Sequence, residues 1–212
     1  MGKLKIINTL VLLLTVLIFS NSFADETAKE LLKKGINFGN NDQVDMAIAQ
    51  FTKAIEINPK FANAYFNRGK AYAIKGSYDK AILDYTKAIE FNPGYASAYN
   101  KRCNANIQIG NNDQAISDCT KAIKLNPRLA YFSYNNRGHA YQNKGNFDQA
   151  ILDFTLAIKA RPFLSESYIN RAIAYFAQKN YDKGKADMRQ AGLIKSNITP
   201  NDPTGPHKVA GK

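Results

Sequence analysis

Cys103 and Cys119 are the only cysteines in this 212-residue chain, and His139 and His207 are the only histidines. These four residues bound the chemistry that the sequence can signal. A zinc site draws three or four Cys, His or carboxylate ligands from characteristic short spacings, and neither histidine has such a neighbour. No serine stands in a recognisable arrangement with a histidine, so the pattern for a base-activated nucleophile is missing. Glycine loops that cradle phosphates follow a strand, and no segment here reads as one. The Asp and Glu residues fall at helix starts or on solvated faces. No catalytic residue, metal ligand or cofactor is therefore assigned. What remains is the chemistry of the cysteines themselves. Their spacing is not the Cys-x-x-Cys of a redox-active pair, which leaves a structural bridge or two buried thiols.

The elements that must position them come from a repeat. The alanines Ala47, Ala81, Ala115 and Ala150 recur at steps of 34, 34 and 35 residues, and Gly184 follows 34 later in a degenerate copy. Number the five copies from residues 28, 62, 96, 131 and 165. Position 4 is then Leu31, Tyr65, Tyr99, Tyr134 and Tyr168. Position 8 is Gly35, Gly69, Cys103, Gly138 and Ala172, and position 24 is Phe51, Tyr85, Cys119, Phe154 and Met188. Large residues at 4, 11 and 24 with small ones at 8, 20 and 27 predict two amphipathic helices that interlock. Gly76, Gly110 and Gly145 mark the turn between them. Asp at position 18 in every copy favours the second helix's N-terminus. Pro59, Pro93, Pro127 and Pro162 at position 32 end that helix. One such hairpin cannot bury its apolar face, and stacking copies does.

Antiparallel helices bring residues face to face when their repeat positions add to about the same number. Positions 7 and 23 obey that rule as Arg68 with Asp84, Arg102 with Asp118, Arg137 with Asp153 and Arg171 with Asp187, whereas the first copy has Lys34 and Gln50. An ion pair within each copy is predicted, worth about 0–1 kcal/mol if exposed. The alternative is a ladder of ligand-binding arginines. The same rule sets Cys103 opposite Cys119. Two lone cysteines in facing slots bridge in an oxidising compartment, and closing so short a loop contributes roughly 3 kcal/mol.

The compartment is read from the start, "MGKLKIINTLVLLLTVLIFSNSFADE". Lys3 and Lys5, an apolar run over 10–19 and Ser22-Phe23-Ala24 read as a secretory signal peptide over 1–24, cleaved after Ala24. The run is short for a bilayer core of about 30 Å, so an uncleaved anchor is the lesser alternative. Asp25 follows the site, so no lipid attachment is expected. No later stretch approaches spanning length. The chain is thus expected to be exported, periplasmic or secreted. Its formal charge of +12 falls by two when Lys3 and Lys5 leave. A basic surface suits acidic proteins, acidic envelope polymers or lipid headgroups, and export argues against nucleic acid.

Over residues 28 to about 195 this pattern resembles the tetratricopeptide repeat. The resemblance implies an all-α, right-handed α-solenoid of about five helix-turn-helix repeats, spanning 28–61, 62–95, 96–130, 131–164 and 165–198. The last copy is degenerate and suits a capping role, with Lys185 and Gly192 in place of isoleucines and Ser196 in place of proline. Residues 199–212 are Pro- and Gly-rich and read as a disordered tail. In the resembled family the first helices line a concave groove through positions 2, 5, 9, 12 and 13. Here those include Asn63, Phe66 and Lys70, then Asn100, Asn104 and Gln108, then Asn135, His139 and Asn143, with Phe132 flanking. Amides can pair with the backbone of an irregular or extended peptide, and Phe66 can anchor an apolar side chain. The family's clamp for chaperone C-terminal carboxylates needs Lys and Asn at positions 5 and 9, and no copy has them. The function implied is a non-enzymatic exported scaffold or adaptor for a protein or peptide, in a bacterial periplasm or envelope. The alternative is a basic structural protein on acidic envelope polymers or headgroups, which salt would release far more readily.

Overall fold

The computed structural model describes residues 23–196. The expected leader, except its last two residues, and the expected tail over 199–212 lie outside them. The described residues form ten α-helices and no strand. They are α1 (23–40), α2 (Val44–Ile57), α3 (Ala62–Ile74), α4 (Tyr78–Phe91), α5 (Ala96–Gln108), α6 (Asn112–Leu125), α7 (Ala130–Asn143), α8 (Phe147–Ala160), α9 (Ser165–Ala177) and α10 (Tyr181–Ser196). A short 3-10 turn, Pro127–Leu129, precedes α7. The extra residue of the 35-residue step falls in α7, which has 14 residues where α3, α5 and α9 have 13.

Each hairpin closes through one left-handed residue at position 15: Asp42, Gly76, Gly110, Gly145 and Lys179, with φ between 59° and 81°. The N–H of the next residue then donates back five residues, as Ser77 does to the Tyr72 carbonyl at 2.9 Å and Asn146 to Tyr141 at 2.9 Å. This satisfies carbonyls that the helix end leaves open. Glycine holds that conformation without strain, while Asp42 and Lys179 carry a cost of about 1–2 kcal/mol for theirs.

The described residues divide into two compact units, one up to Ala105 and one from Asn106, with the boundary inside α5. In the first, Ala47, Phe51 and Ala71 make one core with Leu32, Phe38, Val44 and Ile48 against it. A second gathers Ala81, Tyr85 and Ala105 with Phe66, Tyr72 and Tyr78. The second unit centres on Ala150, Phe154 and Ala174. The alternation of large and small predicted from the sequence is the packing itself. A Cβ on Gly35, Gly69 or Gly138 would stand 2.5, 2.8 or 2.6 Å from a ring carbon of Phe51, Tyr85 or Phe154. Glycine at position 8 is therefore room for the ring at position 24. The third copy fills both places differently: Cys103 and Cys119 are fully buried, and both are disulfide-bonded.

The arginines at position 7 are structural. Arg68 grips Asp84 with two bonds, Nε to Oδ2 at 2.8 Å and Nη2 to Oδ1 at 2.9 Å. Arg137 with Asp153 and Arg171 with Asp187 repeat this geometry. The carboxylates are almost wholly buried, so the value of about 0–1 kcal/mol for an exposed pair does not apply to them. A further nitrogen, Nη1, reaches into the preceding copy. It donates to Thr52 from Arg68, Thr86 from Arg102, Thr120 from Arg137 and Thr155 from Arg171, at 2.9–3.1 Å. Each of these guanidinium groups also lies over the position-4 tyrosine three residues earlier, at 5.6–5.7 Å. Donors spent in this way are not left for a ligand. Asp at position 18 has a second partner as well: Lys75 pairs with Asp45, Lys144 with Asp113, and Gln178 Nε2 donates to Asp148 at 2.6 Å.

Candidate functional site

The first helix of each copy buries a stripe of small residues, such as Ala64, Gly69 and Ala71 in α3, and Ser133, Gly138 and Ala140 in α7. That stripe fixes which residues are left over. In the first unit the leftover face of α3 carries Asn63 and Lys70, both exposed, with Phe66 half-buried between them. The Phe66 ring is fixed by neighbours, its centroid 4.7 Å from that of Tyr95 and 6.0 Å from that of Tyr85. Lys70 Nζ stands 5.9 Å over the same ring. The result is an aromatic ledge with a cation above it. Burial lifts the Tyr85 and Tyr95 hydroxyls above the usual tyrosine range, so both stay protonated. On α5, Asn104 is exposed and Asn100 half-buried.

In the second unit the predicted residues diverge. Gln108 and Asn143 are exposed, and Asn143 Nδ2 donates to Asn112 Oδ1 at 3.2 Å. Asn135 is 6% exposed, and its Nδ2 donates to Ser167 Oγ on α9 at 2.9 Å. It is a member of the α7–α9 seam and not of an open surface. His139 follows one turn later, half-buried, edge-on to Phe154 at 5.5 Å. Burial holds its imidazole below the usual histidine value, with the Glu166 charge working against that shift. Phe132 remains half-exposed, stacked on Tyr131 at 4.0 Å. Asn170, which the sequence reading did not single out, is also 6% exposed and lies on α9 one turn beyond Ser167. Only a pairing across 32 residues distinguishes Asn135 from the exposed amides, and no local pattern signals it.

Among the described residues no three His, Cys, Asp or Glu side chains come together to hold a metal ion, and no helix is long and apolar enough to cross a membrane. The geometry offers surfaces for contact: rings, amides and a few cations held on rigid helices.

Models of the tetratricopeptide repeat match residues 62–95 and 131–163, and 96–129 and 165–197, and a further TPR repeat model matches 41–76. An uncharacterized protein of Methanocaldococcus jannaschii is 43% identical over 51 residues, which is 24% of this chain; the chain spans 59% of that relative's length. Among solved structures, a crystal structure of MamA has a TM-score of 0.70 at 24% identity, covering 76% of this chain and 94% of that one. A MamA fragment from Desulfovibrio magneticus reaches 0.75 at 13% identity, covering 82% and 98%. YrrB, described as a TPR protein with an unusual peptide-binding site, scores 0.67 at 20% identity, covering 86% and 92%. These likenesses are of fold. Repeat models that together match well over half of its residues show that the chain belongs to the tetratricopeptide-repeat family.

Proposed function

We propose that the protein is an exported, non-enzymatic scaffold that binds a protein or peptide segment on its first-helix faces. The observation that carries this reading is a division of labour among positions. Positions 7, 8, 23, 24 and 25 are committed to packing within and between copies, whereas Asn63, Lys70 and Asn104 are exposed, Phe66 is half-buried, and all four differ from their counterparts in other copies. A scaffold repeats its mechanical residues and varies those that meet a partner. Phe66 suits the role of an anchor because its ring is already held in place and loses little freedom on binding. The described peptide-binding site of YrrB supports a segment of chain as the partner. The leader over 1–24 and the disulfide-bonded state of Cys103 and Cys119 are both consistent with an oxidising, extracytoplasmic compartment.

The test is affinity capture from a native envelope fraction. One bait is the wild-type chain and the other carries Asn63→Ala, Lys70→Ala and Asn104→Ala, changes at exposed positions that leave the packing residues alone. A protein held by the first bait and lost by the second supports recognition by the first-helix faces. Equal capture by both, released by moderate salt, supports the basic-surface alternative and overturns this one.

A further inference from the structure

The second helices of the second unit carry an outward stripe. Positions 22, 26, 29 and 33 recur at helical spacings and share one face, opposite the buried positions 20, 24 and 27. In α6 and the turn after it the stripe is Ser117, Lys121, Lys124 and Arg128, all exposed. In α8 and the turn after it the same positions are Leu152, Leu156, Lys159 and Phe163. Leu152 is 51% exposed, and Phe163, in the turn before α9, is 84% exposed. Arg137 on α7 donates to Thr120 of α6 and to Asp153 of α8. The two helices thus hold equivalent places on α7, and their stripes face the same way.

Charge changes sign along the chain at position 29. It is Glu56 and Glu90 in the first two copies, then Lys124 and Lys159 in the third and fourth. In the first unit Glu90 answers Lys87 at 2.7 Å. The carboxylates of α6 and α8 are held elsewhere: Asp113 by Lys144, Asp118 by Asn106, Asp148 by Gln178 and Asp153 by Arg137. Among the described residues none of them answers Lys121, Lys124, Arg128 or Lys159.

We propose that this face of the second unit docks on an anionic bilayer surface. α8 lies along the membrane plane, Phe163 and Leu152 enter the interfacial layer, and the four cations meet lipid headgroups. The two halves of the stripe together select this occupant. A soluble acidic polymer answers the cations and leaves Phe163 in water. An apolar pocket on a protein answers the ring and not cations spread over two helices. A bilayer surface offers anions and an apolar layer over the same area. The docking goes beyond the scaffold reading and does not rest on it, because the first-helix positions take no part and stay free for a partner.

The chain has no tryptophan, so Phe163→Trp in the full chain supplies one fluorescent probe at the place that must enter the lipid. Mixed phosphatidylglycerol and phosphatidylcholine vesicles are expected to shift its emission to the blue. Lipids brominated near the headgroup end of their acyl chains should quench it. Vesicles of phosphatidylcholine alone should do neither. Leu83→Trp puts the same probe on the corresponding stripe of the first unit, where Leu83 is 68% exposed, and it should stay in water. Any vesicle binding through the leader is common to both chains and cancels in this comparison. Adding Lys124→Glu and Lys159→Glu to Phe163→Trp gives position 29 the first unit's charge. The concentration of anionic lipid needed for the shift should then rise roughly twentyfold or more, about fivefold for each lysine removed. An unshifted probe at position 163, an equal shift at position 83, a shift as large with phosphatidylcholine alone, or one that survives both Glu changes overturns the proposal. Binding of soluble polyglutamate with no response to vesicles would assign the cations to an acidic polymer and overturn it as well.

Discussion

His139 is the one histidine among the described residues, and its environment gives it a measurable effect on stability. The folded chain binds its proton less readily than the unfolded chain, because burial outweighs the Glu166 charge. The stability it contributes is therefore complete above the unfolded value of about 6.5 and is lost as pH falls from there to the lowered folded value. Replacing His139 with Gln is expected to remove that acid-side loss. Thermal melts of both chains between about pH 8 and pH 5 would check it, and parallel curves would show that another group titrates. The local reading of this residue was incomplete for a physical reason. Its spacing gave the face of α7 on which it lies, but its burial depends on Phe154 in the following helix and Glu166 in the next copy. Asn135 makes the same point, since its partner Ser167 lies in another repeat. The arginines were more legible: both halves of each pair vary together between copies, so the sequence itself carried the contact.

At the scale of the helical hairpin, positions 8 and 24 form one lock that the copies fill in different ways. Glycine beneath an aromatic ring is the solution in the first, second and fourth copies, the cysteines occupy both places in the third, and Ala172 with Met188 in the fifth. Exchange of one solution for the other is the test. Wild-type chain is expected to lose roughly 3 kcal/mol when reduced, by the entropy of the opened loop. A Cys103→Gly, Cys119→Tyr variant is expected to ignore the reductant and to be more stable than the reduced wild type. Denaturant titrations with and without reductant would show this, and a wild-type midpoint unmoved by reduction would exclude a stabilising bridge. Helix order, turns and the ring-over-glycine packing were all readable from the sequence because each is a local or intra-copy constraint. The Thr at position 25 was not, because its role exists only when a second copy is stacked.

Over the whole molecule, stability in a repeat array is close to a sum of local terms. Asp153, 2% exposed and gripped by Arg137 through two bonds, gives a place to test this. Asp153→Ala leaves a half-buried guanidinium without its anion, at a cost of about 3 kcal/mol or more. Hydrogen exchange should report lost protection in α7 and α8, with α2 to α4 of the first unit nearly unchanged. A uniform loss across both units would mean that the chain opens as one cooperative body. The leader over 1–24 and the tail over 199–212 are expectations from composition and apolar length and, but for residues 23 and 24, lie outside the described residues.

The bond from each arginine back to the preceding threonine gives the stack a direction. Each copy joins by offering a guanidinium nitrogen to the hydroxyl left by the one before. The first copy has Lys34 in the offering place, and that cation is spent on Glu30 of its own helix, 3.2 Å away. The fifth has Arg189 in the receiving place. A newcomer using the same handshake would bring its arginine against a like charge. Lys34 and Arg189 are thus the two places among the described copies where the handshake breaks, and Arg189→Thr would restore a receiving hydroxyl.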